Sequence, residues 1–219
     1  DGMTNMFIMM NEARLLCGSQ GDSQANQVLT LTEQYAKERV QFGTEIINLP
    51  DVKRMVNKMR AMARGTRALN LYVSHLFDLA KRDSAVENEI AFFTPVCKAY
   101  STEEGYQVCV DAIQVHGGYG YCKEYGIEQF ARDSKIASIY EGTTGIQALD
   151  FVTRKVLKDG GKTFMTILAR TKETIEKGKV DWPKETQLME DSIDGVTEIL
   201  KKFEKAEQNK NNNFILDHC

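Results

Sequence analysis

Ser138-Ile139-Tyr140-Glu141-Gly142-Thr143-Thr144-Gly145-Ile146-Gln147 sets a carboxylate between an aromatic residue and a glycine, just ahead of a helix that opens on threonines. Gly142 has no side chain, so a base at Glu141 could reach a substrate across bare backbone. As an isolated feature, a glutamate at a helix entry is explained by the helix dipole. Three further segments give it a context: Arg14, then Arg39-Val40-Gln41-Phe42-Gly43, then Gln114-Val115-His116-Gly117-Gly118-Tyr119-Gly120-Tyr121.

Helical spacing connects these segments. Apolar residues recur at Phe7, Met10, Leu15, Val28, Leu31 and Tyr35, which predicts one long helix over 3–39. Gly18 and Gly21 fall inside it, where glycine weakens a helix by about 1 kcal/mol; close packing against the backbone is their expected purpose. Residues 42–49 read as a turn and extended connector. Pro50 opens a second helix at the position where proline is tolerated, and Val52, Met55, Met59, Met62, Leu69, Tyr72, Leu76 and Leu79 carry it to about residue 82.

Asp83-Ser84 offers a cap to a third helix running through Ile90, Phe93, Val96, Val108 and Val115. Pro95 inside it should cost a hydrogen bond or bend the helix unless it lies in the first turn or two. Residues 117–126 read as a glycine loop without regular structure. A fourth helix follows from 127, and a fifth begins near Thr143 or Thr144, with Thr144-x-x-Gln147 fitting a capping box and Gly160-Gly161 ending it. Residues 164–177 and 184–205 read as charged amphipathic helices, the second with Leu188, Ile193, Val196, Leu200 and Phe203 on one side. Residues 209–213 read as a mobile polar connection. The expected fold is all-α: an up-down helical bundle over 1–160 with a helical extension over 161–219.

Bulk properties exclude more than they select. A net charge of −3 gives no electrostatic reason to expect nucleic acid or an anionic membrane surface. The five cysteines, from Cys17 to Cys219, contain no CxxC pair, and the three histidines add no ligand-spaced cluster. No metal is expected, and a reduced, cytoplasmic protein is. No apolar run approaches a membrane span. Asp1 at the start suggests a fragment.

Taken together, the four segments resemble the C-terminal helical domain of the acyl-CoA dehydrogenases over residues 3–158. The form Tyr-Glu-Gly-Thr-Thr-Gly-Ile-Gln-Ala-Leu-Asp is similar to the longer bacterial branch, which includes enzymes acting on 3-(methylthio)propanoyl-CoA. The resemblance implies an FAD-dependent desaturation of an acyl-CoA thioester. Glu141 would take the proton next to the thioester carbonyl while a hydride leaves the neighbouring carbon for the flavin. The backbone N–H of Glu141 would hydrogen-bond the thioester oxygen, with Tyr140 in the wall and Gly142 leaving room for the acyl chain. Arg14 lies near this end of the site in the family; a salt-bridged or snorkelling surface arginine is the competing reading. Arg39, Gln41 and Phe42 would reach adenine and pyrophosphate across a subunit interface, and Gln114, Gly117 and Gly118 the pyrophosphate of the neighbouring subunit's FAD. Thr143 would hydrogen-bond the cofactor or simply cap a helix. Some members carry the base just before the Arg14 position; Ala13 stands there and has no acid. His116 reads as structural.

The same resemblance implies a homo-oligomer, a dimer or tetramer, and electron-transfer flavoprotein as acceptor. Leu49-Pro50 stands where many members have a polar contact to adenine, and Gly145 and Ala148 depart from the commoner pattern. The family's N-terminal and middle domains have no counterpart, so the chain alone is expected to be inert and free of flavin. Two other readings stay open: a non-catalytic helical assembly module, and an acyl-CoA oxidase or nitroalkane-oxidising relative.

Overall fold

The three long helices expected from apolar periodicity form, and sequence-distant contacts fix how they run. The computed structural model describes residues 2–218; Asp1, Cys219 and the side chain of Phe7, invoked above, lie outside the described residues. Helix α1 spans Gly2–Glu38, α2 Pro50–Ala80 and α3 Glu87–His116. Ser19 hydrogen-bonds Asn70, whereas Arg60 pairs with Glu33 at 2.5 Å, so α1 and α2 are antiparallel. Asn70 bonds Ser101 at 2.8 Å and Lys58 pairs with Asp111 at 2.9 Å, so α2 and α3 are antiparallel as well. A short α5, Ile127–Lys135, returns along α3: Lys135 lies over Tyr106 and Ile127 joins Ala112 and Val115 in the core. This is the up-down bundle that the spacing predicts.

Val28, Val56, Met59, Val108 and Ala112 are fully buried at its centre. Gly18 and Gly21 serve the expected close approach: a Cβ on Gly18 would meet Asn70 and Cys97 at 3.0–3.1 Å, and one on Gly21 would strike the backbone of Ser101 and Thr102. Pro95 sits in the third turn of α3, buried, where its missing N–H leaves one helical carbonyl without its ladder partner. Asp83 caps a 3-10 turn over Ser84–Val86, its carboxylate accepting from the Ala85 N–H at 2.9 Å.

The chain divides into two compact units, Asp1–Gln147 and Ala148–Cys219. In the second, α7 (Lys162–Gly178) packs on α8 (Pro183–Gln208), and α9 (Asn212–His218) follows. Leu157, Phe203, Ala206 and Ile215 form its apolar centre. Leu188 and Val196, expected on the buried side of α8, are 67% and 45% exposed; helices packed along one seam leave the flanks of a broad apolar face open.

Several local expectations change. Residues 117–126 are not an irregular loop: Gly118–Tyr121 forms the single helical turn α4, and Lys123–Tyr125 a 3-10 turn. Gly117, at φ +61°, ends α3, and a Cβ on Gly120 would lie 2.6 Å from the Ile113 carbonyl, so glycine lets the turn fold onto α3. Residues 40–45 close a two-residue hairpin between Val40–Gln41 (β1) and Thr44–Glu45 (β2). In the polar tract the chain turns at Asn209 and Lys210, and α9 begins at Asn212. Asn211 N–H donates to Ala206 at 2.8 Å, Lys210 N–H to Glu207 at 2.9 Å, and Asn211 caps α9 through Phe214 N–H. Among the described residues no helix is long and apolar enough to cross a membrane.

Candidate functional site

Glu141 sits on a bend of two consecutive left-handed residues, itself at φ +58° and Gly142 at φ +89°. The preceding 3-10 turn, Ile136–Ser138, ends with Tyr140 N–H on the Ile136 carbonyl, and α6, Thr144–Asp150, begins just beyond. Gly142 takes this conformation at little cost, whereas a glutamate gives up about 1–2 kcal/mol. The surroundings hold it there. Gln147, 1% exposed, donates its amide to the carbonyls of both Glu141 and Gly142 at 3.1 Å, and Lys98 Nζ donates to the Gly142 carbonyl at 2.6 Å. Gly142 has a second requirement besides φ, since a Cβ there would lie 2.7 Å from the Gln147 amide nitrogen.

The anticipated capping box does not form. Thr144 Oγ1 donates to Glu103 at 2.5 Å, and Gln147 reaches back to carbonyls rather than to a cap N–H. Thr143 does the capping: its carbonyl accepts from Gln147 N–H at 3.0 Å and its hydroxyl accepts a long 3.5 Å bond from Ile146 N–H.

Around the half-buried Glu141 stand groups from two long helices. Arg14 of α1 is only 5% exposed. Tyr140 donates its hydroxyl to Gln20 at 2.7 Å; burial, and then contact with Cys17, push that phenol up to about 12. Lys98 of α3 is fully buried, and burial draws its ammonium below the usual lysine range against the opposing pull of Cys17, Glu103 and Glu141. Nothing in its sequence spacing sets Lys98 apart from an ordinary helix lysine, and the sequence reading missed it.

A separate cavity of about 530 Å³ gathers the other predicted residues. Arg39, Gln41, Gln114, Gly117 and Gly118 all line it, over an apolar floor that includes Ile46, Val52, Met55 and Val115. Arg39 lies 5.3 Å from the Tyr119 ring centre. His116, also in the lining, stacks on Tyr35 at 4.1 Å with Nδ1 2.8 Å from the Ala112 carbonyl; burial lowers its pKa and keeps it neutral. Phe42 and Thr143 do not line this cavity: Phe42, at φ +54°, is 91% exposed beyond β1. Among the described residues no group of three or more His, Cys, Asp or Glu could hold a metal ion, and Cys17, Cys97, Cys109 and Cys122 are free thiols.

The profile of the family described as "Acyl-CoA dehydrogenase, C-terminal domain" matches residues 1–157. A 3-methylmercaptopropionyl-CoA dehydrogenase of Ruegeria pomeroyi is 38% identical over 194 residues, covering 81% of this chain and 33% of its own length. A broad-specificity linear acyl-CoA dehydrogenase of Mycobacterium tuberculosis is 32% identical, covering 81% and 32%. The crystal structure of an acyl-CoA dehydrogenase from Geobacillus kaustophilus superposes with a TM-score of 0.62 at 26% identity, covering 68% of this chain and 37% of that one. The chain thus spans about a third of the length of the curated relatives it matches.

Proposed function

This chain belongs to the acyl-CoA dehydrogenase family through its C-terminal helical domain, and on that premise we propose that it supplies the base and part of the cofactor cradle of an enzyme that desaturates an acyl-CoA thioester between its α and β carbons. The observation that carries the reading is the bend at Glu141–Gly142, a left-handed pair whose carbonyls are held by Lys98 of α3 and Gln147 of α6. A backbone held this way fixes the point from which the Glu141 side chain reaches out, which is a first requirement for positioning a base.

In this reading the Glu141 carboxylate takes the α-proton, and its backbone N–H donates to the thioester oxygen as negative charge grows there. Arg14 and Tyr140 shape that end of the pocket. Bound FAD would supply the hydride acceptor. Arg39 would fork onto phosphate oxygens, with Gln41 and Gln114 beside it, and the backbone at Gly117 and Gly118 would approach the pyrophosphate. The residues present suit that group. A Cβ on Gly118 would meet nothing within 4 Å, so the chain's own packing does not demand glycine there, whereas an approaching phosphate would. Phe42, standing in solvent, would meet adenine in a second copy of the chain, so the cavity is read as a site completed by a homo-oligomer. Thr143 keeps its capping role and would add a cofactor contact. Electron-transfer flavoprotein is the proposed acceptor, the cytoplasm the proposed location, and residues 161–219 a helical extension of the catalytic bundle.

The test uses the full-length gene product. Straight-chain acyl-CoAs and 3-(methylthio)propanoyl-CoA are added anaerobically and flavin bleaching is followed, in the wild type and in Glu141→Gln. Loss of a general base predicts a fall of about 10²–10⁴-fold in bleaching rate with substrate still bound. Unchanged bleaching in Glu141→Gln would remove this residue from the chemistry.

A further inference from the structure

Lys98 is fully buried, and an ammonium in such a place must be bonded and charge-compensated to be tolerated. Its bonding partner is not another side chain but the Gly142 carbonyl, at 2.6 Å. That same carbonyl accepts from Gln147 at 3.1 Å, and Gln147 also holds the Glu141 carbonyl. Two buried donors from two different helices, α3 and α6, therefore close on the two peptide groups that follow the carboxylate-bearing residue. The charged and titratable groups facing Lys98 are Arg14 and Cys17 from α1, Glu103 from α3 and Glu141 from the bend.

We propose that Lys98 is a positioning residue: through the Gly142 carbonyl it clamps the left-handed pair at 141–142 and so sets where the Glu141 carboxylate points. The proposal rests on the reading of Glu141 as the base. A non-glycine residue stays in the left-handed region only where its surroundings over-determine it. Here Gln147 lies on the same short segment as the bend and moves with it, whereas Lys98 is anchored on α3 in the core of the bundle. Lys98 thus ties the bend to the helix that ends at Gln114, Gly117 and the cofactor-side cavity. A buried charge is a costly way to hold a surface bend, and that cost is explained if the bend must stay in register with α3.

The experiment is Lys98→Met in the full-length gene product, a near-isosteric change that removes the donor and the buried charge while Gly142 keeps its bond to Gln147. The expected result is a fall of about 10–100-fold in kcat, the size of loss that a misplaced reacting group produces, with little change in substrate affinity. The melting temperature should hold or rise, because no charge remains to be buried. Hydrogen exchange should quicken in the peptide covering 139–147 and stay slow in the core of α3. A merely structural lysine would show the reverse, with stability lost and kcat of the folded fraction kept, and that result overturns the proposal. A kcat within about twofold of wild type, where Glu141→Gln abolishes bleaching, overturns the clamp and leaves the base assignment standing. If Glu141→Gln bleaches normally, base and clamp fall together. Should Lys98→Met fail to accumulate folded, Lys98→Gln draws the donor on α3 back from the Gly142 carbonyl while keeping a polar side chain there; a lowered kcat with faster exchange at 139–147 supports the clamp, and a wild-type kcat with unchanged exchange overturns it.

Discussion

Gly21 and Gly105 meet backbone on backbone where α1 crosses α3: a Cβ on Gly105 would lie 2.5 Å from the Gly21 carbonyl oxygen. The contact is tight in both directions, since a Cβ on Gly21 would come within 2.2 Å of the Ser101 carbonyl oxygen. These obstacles are backbone atoms, which no rotamer change can move aside. Arg14 and Cys17 lie on α1 about one to two turns before this crossing, and Lys98 lies on α3 about two turns before it.

Gly21→Ala and Gly105→Ala should therefore each destabilise the bundle by about 1–3 kcal/mol or more, the usual range for overpacking a rigid site. Gly145→Ala is the control, because a Cβ there meets nothing within 4 Å and its φ is not positive. Thermal or urea unfolding of this chain measures all three. Equal midpoints for Gly21→Ala and Gly145→Ala would contradict the close crossing.

What the sequence made legible follows the reach of each signal. Apolar periodicity found α1, α2 and α3, because one buried stripe repeats over many turns of a long helix. It missed the short turn Gly118–Tyr121, whose shape comes from a few backbone hydrogen bonds and one close packing contact. Arg39, Gln114 and the paired glycines were singled out through the family resemblance rather than by any local pattern, and the structure sets them around one cavity. The Thr144 cap went wrong because Glu103, forty-one residues away in sequence, takes its hydroxyl. Lys98 was invisible for the same reason: its burial and its bond to Gly142 are properties of the assembled bundle, and no local pattern announces them.

The cavity lends itself to a test that separates binding from folding. Gly118→Ala adds a methyl group where this chain has open space, so its unfolding midpoint should stay close to wild type. The same methyl group would stand between backbone and pyrophosphate. Flavin retained after gel filtration of the full-length gene product should fall. Arg39→Ala should weaken FAD by about 10–100-fold, the worth of a charge-assisted hydrogen bond of about 1.5–3 kcal/mol. Full flavin content in both variants would separate this cavity from the cofactor.

His116 gives the bundle a pH dependence whose direction is fixed by its burial. Its imidazole is stacked on Tyr35 and hydrogen-bonded to the Ala112 carbonyl, and desolvation holds its folded-state pKa below the ordinary value of 6.5. Between that ordinary value and the depressed one, the unfolded chain binds a proton that the folded chain refuses. The stabilisation is thus complete above about pH 6.5 and is lost as pH falls toward the folded-state value, with a slope of at most about 1.4 kcal/mol per pH unit from this group. His116→Phe keeps a ring against Tyr35 and cannot titrate. Urea unfolding between pH 8 and pH 5 should show the wild type losing stability faster than the variant below pH 6.5, with parallel curves above it. Parallel curves across the whole range would mean that the imidazole takes up its proton as readily in the folded bundle as in the open chain.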